Sequence, residues 1–382
     1  MKKIIILFLI LLFFSPAVYA EDSSQEQILE QQKEDLNISD FIEEAQQYTD
    51  TEFADLDVNE LLSEALTGKI ENNNFWQNLL SVFGKEVKES LTILGSILAI
   101  IIIHSIIKSI GESLENENVA KITYYVQYIL IAVLIISSFS NVVEMVRESV
   151  QNMIGFTQCL IPLLMTLLLT TGSITSAGIL QPILLFTISF IANLFQVLIL
   201  PAVLISTALA IVSKLSDKIQ IDKIAKFMKS STIWIMGIIL TIFVAILSVE
   251  GTLSSSVDGI TAKTAKAAVS NVIPVVGKVL GDAVDTVIGC SSILKNAVGV
   301  VGIIVILSIC IVPIIKLAIL TIAYHLTAAL AEPISDGKIV KLLEQMGDTF
   351  KILLAILCVM AVIFIIGLTL VVKISNSGLM YR

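Results

Sequence analysis

Few residues of this chain could do chemistry, and three charged ones lie together in a segment of small residues. Lys278, Asp282 and Asp285 are four and three residues apart, which puts them on one face of a helix. They could pair with one another or line a polar path. The pattern fits a solvated amphipathic helix, or a helix that re-enters a membrane or lines a passage, and both alternatives stay open here.

Three glycines lie on a neighbouring stripe of the same predicted helix. Gly277 and Gly281 form a GxxxG pair, and Gly289 follows two turns later. Small residues at this spacing let two membrane helices approach closely. Of the 49 residues in 251–299, 22 are Gly, Ala, Ser or Thr. The glycines and the three charges are therefore our candidates for helix packing or for lining a passage.

One lysine lies in the apolar run 298–330, where a charge is costly. Lys316 follows Pro313 by three residues. A lysine at membrane depth needs a partner, water or the interface. If the run folds as a helical hairpin, Lys316 lies at its tip; if the run is one bent span, Lys316 is a candidate for a polar pathway. We expect the hairpin.

Catalytic patterns are missing from the sequence. His104 and His325 lie in or beside apolar runs, with no acidic or histidine neighbour at ligand spacing, so we expect both to be packed or interfacial. No HExxH, GxSxG or GxxxxGK[ST] motif occurs. The cysteines are far apart and are expected to be buried as small hydrophobes; they are Cys159, Cys290, Cys310 and Cys358. We therefore predict no catalytic residues, no metal and no cofactor.

The composition indicates a membrane protein. Of the 382 residues, 56% are hydrophobic and 15% are charged, against about 25% charged in soluble domains. The net charge of -9 is uneven, because residues 21–80 hold sixteen Asp and Glu against two Lys. An acidic outer segment and dispersed lysines exclude nucleic acid as a partner.

The N-terminus has the pattern of a secretory signal. Lys2 and Lys3 precede the apolar run 4–14, and Pro16 follows it. Val18 and Ala20 then give small or compact residues at the two positions that a signal peptidase reads. We predict a signal peptide over 1–20, which would place residues 21–90 outside the cytoplasm.

The acidic segment 21–90 is predicted to form short helices. Ile38, Phe41, Ile42 and Ala45 recur at helical spacing. A second helix would begin after Asp57 as its cap and end at a left-handed glycine, Gly68. Its apolar face consists of Val58, Leu61, Leu62, Ala65 and Leu66. We expect these faces to lie on the membrane; the alternative is a docking face for a partner.

A third apolar stripe runs from this segment into the first membrane span. Its residues are Phe75, Trp76, Leu79, Leu80, Phe83 and Val87. Trp76, with Lys85 and Lys88 nearby, is typical of an anchor at the membrane interface.

Apolar runs predict an all-α, polytopic membrane protein in two parts. The first part, 91–250, has spans near 91–107, 122–140, 157–171, 178–212 and 233–249. The second part, 298–382, has spans at 298–330 and 352–372, and the small-residue segment 251–297 separates the two parts. The runs 178–212 and 298–330 are too long for one upright helix, so each should be a bent span or a tight hairpin, broken at Pro201 and Pro313.

The prolines suggest a parallel internal repeat. Pro162 and Pro274 are 112 residues apart, and so are Pro201 and Pro313. We interpret this as a duplicated unit of about 112 residues, with chance similarity among apolar segments as the alternative.

Lysines give a predicted orientation. Five lysines in 214–229 favour a cytoplasmic linker under the positive-inside rule. The same argument places Lys338, Lys341 and Lys351 inside. The presumed outer stretch 251–297 also contains lysines, which argues against this topology; they are Lys263, Lys266, Lys278 and Lys295.

One segment resembles a known family. Residues 250–277, EGTLSSSVDGITAKTAKAAVSNVIPVVG, with Gly281–Gly289 and Lys295–Gly299, resemble the characteristic segment of the stage III sporulation protein AE family. The resemblance implies a multi-pass protein of the mother-cell membrane in an endospore-forming bacterium. It also implies a permease-like part of a channel or secretion-like apparatus that joins mother cell and forespore. The implied partners are ring-forming membrane proteins and a separate cytoplasmic ATPase. The small-residue segment, independently of the resemblance, suggests packing against further copies of the chain.

Two functions are compatible with these patterns. The first is a non-enzymatic membrane component of that sporulation apparatus. The second is a stand-alone secondary transporter, in which repeats and broken helices are also expected. An intramembrane enzyme is disfavoured, because the sequence contains no recognisable combination of acid, base and nucleophile.

Overall fold

The computed structural model describes residues 22–49, 57–68, 75–113, 117–215, 221–272 and 277–380. Within these ranges the backbone is helical and contains no strand, which confirms the all-α prediction. The predicted signal peptide and Pro274 lie outside the described residues. The internal repeat stays a prediction.

Three short helices come first: α1 (Asp22–Asp35), α2 (Ile38–Thr49) and α3 (Val58–Thr67). The caps of α3 confirm the sequence prediction. The Asp57 carboxylate accepts from the backbone N–H groups of Asn59 at 2.8 Å and Glu60 at 3.2 Å. Gly68 ends the helix with φ at 72°, a left-handed conformation that glycine adopts without strain.

The apolar faces of α2 and α3 pack against the rest of the molecule. Ile38, Phe41 and Leu62 are buried in the main hydrophobic core. The rings of Phe41 and Phe156 have centroids 6.1 Å apart. The expectation that these faces lie on the membrane is therefore wrong, because the longer helices of the same chain cover them.

Seven longer helices follow. They are α4 (Phe75–Ser113), α5 (Glu117–Thr170), α6 (Ile174–Leu194), α7 (Leu200–Leu215), α8 (Asp222–Val272), α9 (Gly277–Ala331) and α10 (Gly337–Met380). The third stripe of the acidic segment thus continues into α4 without interruption, and α8 continues past 250 to Val272.

Six stretches of these helices are long and apolar enough to cross a membrane. They are Leu79–Ile107, Tyr125–Thr170, Ile174–Ser213, Asp222–Val249, Thr286–Ala331 and Gly337–Lys373. Large apolar side chains such as Ile103, Phe186 and Trp234 are exposed on the outside of the bundle. Helices satisfy their own backbone hydrogen bonds, so such surfaces can face lipid. The chain is a polytopic helical membrane protein.

Neither of the two long apolar runs forms a hairpin. The run 298–330 lies within the continuous helix α9, so the expected hairpin with Lys316 at its tip is wrong. The run 178–212 passes from α6 into α7 through a π-helical turn, Phe195–Ile199, in which Leu200 N–H bonds to the Phe195 carbonyl.

The predicted proline breaks are mostly not formed. Pro162 and Pro313 lie inside α5 and α9, and Pro182, which the sequence argument left out, lies inside α6. Of the predicted breaks that lie in the described residues, only Pro201 coincides with an irregular turn, the π-helical turn just before it. Proline removes one donor, and flanking helices of a membrane bundle can hold the helix together on both sides of it.

The core is built around α9, which packs antiparallel to α10. Tyr324 and Phe350 have ring centroids 5.1 Å apart. Gly299 allows this close packing, because a Cβ on it would overlap Val372 of α10. Gly302 likewise allows α5 to approach α9, because a Cβ on it would overlap Leu160.

Candidate functional site

The clearest charged contact inside the bundle joins α9 to α4. The Lys316 ammonium lies 3.2 Å from Oε2 of Glu86 and 3.6 Å from Oε2 of Glu89. The Glu86 side chain is 2% exposed, whereas that of Lys316 is 28% exposed. A carboxylate buried this deeply is stable only when a cation accompanies it. Lys316 therefore has a partner, and its charge is not free to bind an anion.

Glu86 lies on the buried stripe of α4. Going along the helix, Ser90, Leu94, Ile97 and Ile101 are buried at spacings of three or four residues, and Glu86 is buried one turn before Ser90. Sequence reasoning missed Glu86, although extending the helical period of the apolar run backwards would have found it.

A cavity of about 170 Å³ lies between α2, α5 and α9. Its walls include polar side chains from all three helices, and Ile309, Val312 and Pro313 complete the α9 wall. Lys316 is three and four residues beyond Pro313 and Val312, so it follows on the same face of α9.

Tyr48 forms part of the α2 wall of this cavity. Burial, and after it the charges of Glu44 and Cys159, raise the pKa of Tyr48 above its usual value. The Tyr48 phenol therefore stays neutral at physiological pH.

Two further lysines are buried between helices. Lys229 in α8 donates to the Thr349 hydroxyl at 2.7 Å and to the Gln345 carbonyl at 3.0 Å, both in α10. Lys295 in α9 is fully buried and donates to the Val372 carbonyl at 2.8 Å. Sequence reasoning treated both lysines as loop charges that report topology. That use was wrong, because both side chains tie helices together inside the bundle.

Each histidine has one carboxylate near it. His104 Nε2 lies 3.7 Å from Asp336, and His325 Nε2 lies 3.8 Å from Asp348. His104 is buried, whereas His325 is half-buried. Among the described residues, no group of three His, Cys, Asp or Glu side chains could hold a metal ion.

The small-residue candidates lie at the start of α9. Gly277, Lys278, Gly281, Asp282 and Asp285 belong to its first turns, and their side-chain surroundings lie outside the described residues. Their roles stay predictions.

Gly289 is the described member of the small-residue group. A Cβ on it would meet no atom of the described residues within 4 Å, so no helix in the described part of the chain packs closely there. Lys316 lies 27 residues further along the helix, a distance of about 40 Å. The structure thus separates the small-residue face from the Lys316 ion pair.

These features define a class: a multi-pass helical membrane protein whose buried lysines tie its helices together. Comparison with known proteins gives the family. The family described as stage III sporulation protein AE matches residues 56–375, and the chain belongs to it. A Bacillus subtilis (strain 168) protein described as stage III sporulation protein AE is 31% identical over 304 residues, or 80% of this chain and 76% of that relative. No solved structure matches the chain.

Proposed function

We propose that this protein is a non-enzymatic component of a channel or secretion-like apparatus that links the mother cell to the forespore. The observation that carries the proposal is the family match over 56–375, which spans the six membrane-length helices. The protein would reside in the mother-cell membrane and would be needed for late forespore development.

The bundle supports a role as a permease-like part that works with other chains. Its interior is tightly packed where Gly299 and Gly302 meet neighbouring helices. The open face at Gly289 favours contacts outside this chain, because a glycine at a membrane-helix surface allows another helix to approach. The partners would be further copies of the chain, ring-forming sporulation membrane proteins and a separate cytoplasmic ATPase that supplies energy.

The helix directions support a six-span topology with both ends outside. Helix α8 is parallel to α10, because Lys229 bonds to Thr349 and, further along both helices, Phe243 lies next to Gly367. The Lys316–Glu86 and Asp336–His104 contacts make α9 parallel to α4. Both relations agree with successive spans that alternate in direction. The acidic helices α1–α3 would then face the space between the two membranes.

Deletion and complementation in an endospore-forming host test the role. A strain that lacks the gene should engulf the forespore but fail to express late forespore genes, and the wild-type chain should restore expression. We expect Gly281→Leu to insert in the membrane but not to restore expression. Gly237→Leu is the matched control, because Gly237 lies in α8, outside the small-residue segment, and a side chain there meets no described residue within 4 Å. Normal late gene expression in the deletion strain would contradict the proposal.

A further inference from the structure

Three hydroxyl groups that line the cavity between α2, α5 and α9 can accept hydrogen bonds there but have no proton left to donate. They donate to backbone carbonyls of their own helices: Thr49 to Gln46 at 3.0 Å, Ser149 to Met145 at 2.7 Å and Ser308 to Ile304 at 2.9 Å. Because a hydroxyl has one proton, these oxygens offer only lone pairs to the cavity.

A carboxylate without a cation lies at the open side of the same cavity. Glu148 is exposed and lines the cavity there, and it makes no ion pair or hydrogen bond with the described residues. The neighbouring Arg147 pairs with Glu144 at 3.4 Å instead. Lys316, on the same face of α9 as the cavity wall, is already neutralised by Glu86 and Glu89. The open side of the cavity therefore has a negative charge that no described side chain neutralises.

A third polar side chain adds another oxygen. Asn152 lines the cavity one turn after Glu148, and its amide makes no hydrogen bond with the described residues. Its carbonyl oxygen can join the three hydroxyl oxygens and the Glu148 carboxylate. Oxygen ligands with little charge are what hard cations of low charge prefer.

We propose that this cavity binds a small monovalent cation, Na⁺ or K⁺, through Glu148, Asn152 and the hydroxyl oxygens of Thr49, Ser149 and Ser308. A volume of about 170 Å³ holds such an ion with part of its water shell. A calcium-type site is disfavoured, because one carboxylate supplies too little charge for tight divalent binding. The cation would link α2 of the acidic segment to α5 and α9 of the bundle.

Thermal unfolding of the purified full-length protein in detergent tests the site. NaCl or KCl replaces N-methyl-D-glucamine chloride at constant ionic strength, since that large cation does not fit. The unfolding midpoint should rise and saturate with Na⁺ or K⁺. Glu148→Gln should raise the half-saturating concentration at least about tenfold, because it removes the only unpaired charge among the ligands. Glu344→Gln, which changes an exposed carboxylate of α10 outside the cavity lining, is the matched control and should behave as wild type.

A variant that should bind the cation more tightly distinguishes loss of the site from misfolding. Ser308→Asp adds a second carboxylate to the cavity and should lower the half-saturating concentration about tenfold. Equal midpoints in all three salts would overturn the proposal. So would a Glu148→Gln protein that responds to Na⁺ and K⁺ as wild type does, or a stabilisation by Ca²⁺ at lower concentrations than by either monovalent ion. None of these results depends on the sporulation role.

Discussion

Lys316 in α9 and Glu86 in α4 form an ion pair at 3.2 Å, although 230 residues separate them in the sequence. The pair joins α4, the helix that begins in the acidic segment, to α9, the central helix of the bundle. Because Glu86 is almost fully buried, the contact determines how α4 lies against α9.

We expect Lys316→Met to destabilise the protein by about 3–5 kcal/mol, because it leaves the Glu86 carboxylate buried without its cation. Adding Glu86→Leu should recover most of the loss, since an apolar pair can replace a buried ion pair. Unfolding midpoints in detergent measure both effects. Lys341→Met, which changes an exposed lysine, is the control. A stable Lys316→Met protein would argue against the ion pair.

Two glycines of α9 should respond differently to the same change. Gly299→Ala should cost about 1–3 kcal/mol, because the new methyl group overlaps Val372 on α10. Gly289→Ala should leave the stability of the single chain unchanged, because nothing lies within 4 Å of its Cβ position. Unfolding of the two purified variants checks this. Equal losses for both would contradict the packing of α9 on α10.

The docking of α2 on α5 depends on the space above Gly155. A Cβ there would lie 2.7 Å from the Tyr48 hydroxyl oxygen and 3.4 Å from the ring carbon that bears it. Gly155→Ala should therefore destabilise the contact by about 1–3 kcal/mol, and Tyr48→Phe should restore most of it by removing the oxygen. Hydrogen exchange of α2 amides in the two single variants and the double variant measures the coupling. Additive effects would show that the side chains do not meet.

The same tyrosine predicts a loss of stability at high pH. The pKa of Tyr48 is raised by burial, then by Glu44 and Cys159, so the folded state holds the phenol proton more tightly than the unfolded chain does. The resulting stabilisation is fully present below the unfolded value of about 10 and is lost as pH rises through the folded value. Between about pH 9 and 12, the free energy of unfolding should fall less steeply with pH in Tyr48→Phe than in wild type. Parallel curves would contradict this.

The proposed topology predicts which cysteines a membrane-impermeant reagent reaches. Single cysteines at Glu34 and Glu60, both exposed in the acidic helices, should react from outside in intact cells. Cysteines at Lys226 and Glu332, exposed in or beside the proposed inner linkers, should react only after permeabilisation. The chain without its four native cysteines is the control. Labelling of Lys226→Cys in intact cells would contradict alternating spans.

Local features of the fold could be predicted from the sequence because neighbouring residues determine them. The Asp57 cap and the Gly68 end of α3 are of this kind. The helical character of the apolar runs was also predictable. The effect of a proline is harder to predict. Whether its missing N–H bends or breaks a helix also depends on the helices that pack around it. Pro313 and Pro162 accordingly lie in unbroken helices.

The partners of the charged residues could not be predicted, because they come from distant parts of the chain. Lys316 was identified as unusual, but its partner Glu86 lies in what looked like the end of the acidic segment. Lys229 and Lys295 looked like loop lysines, and only the packing of α8 and α9 on α10 shows where their ammonium groups bind. Helical periodicity assigns such residues to the buried face and leaves the opposite helix undefined.

Affinity purification of the full-length protein from sporulating cells tests the central claim most directly. The claim predicts that other sporulation membrane proteins and a cytoplasmic ATPase co-purify in fixed ratios, and that Gly281→Leu loses them while Gly237→Leu keeps them. A protein that purifies alone and moves a solute when reconstituted by itself in vesicles would contradict the claim and identify a stand-alone transporter.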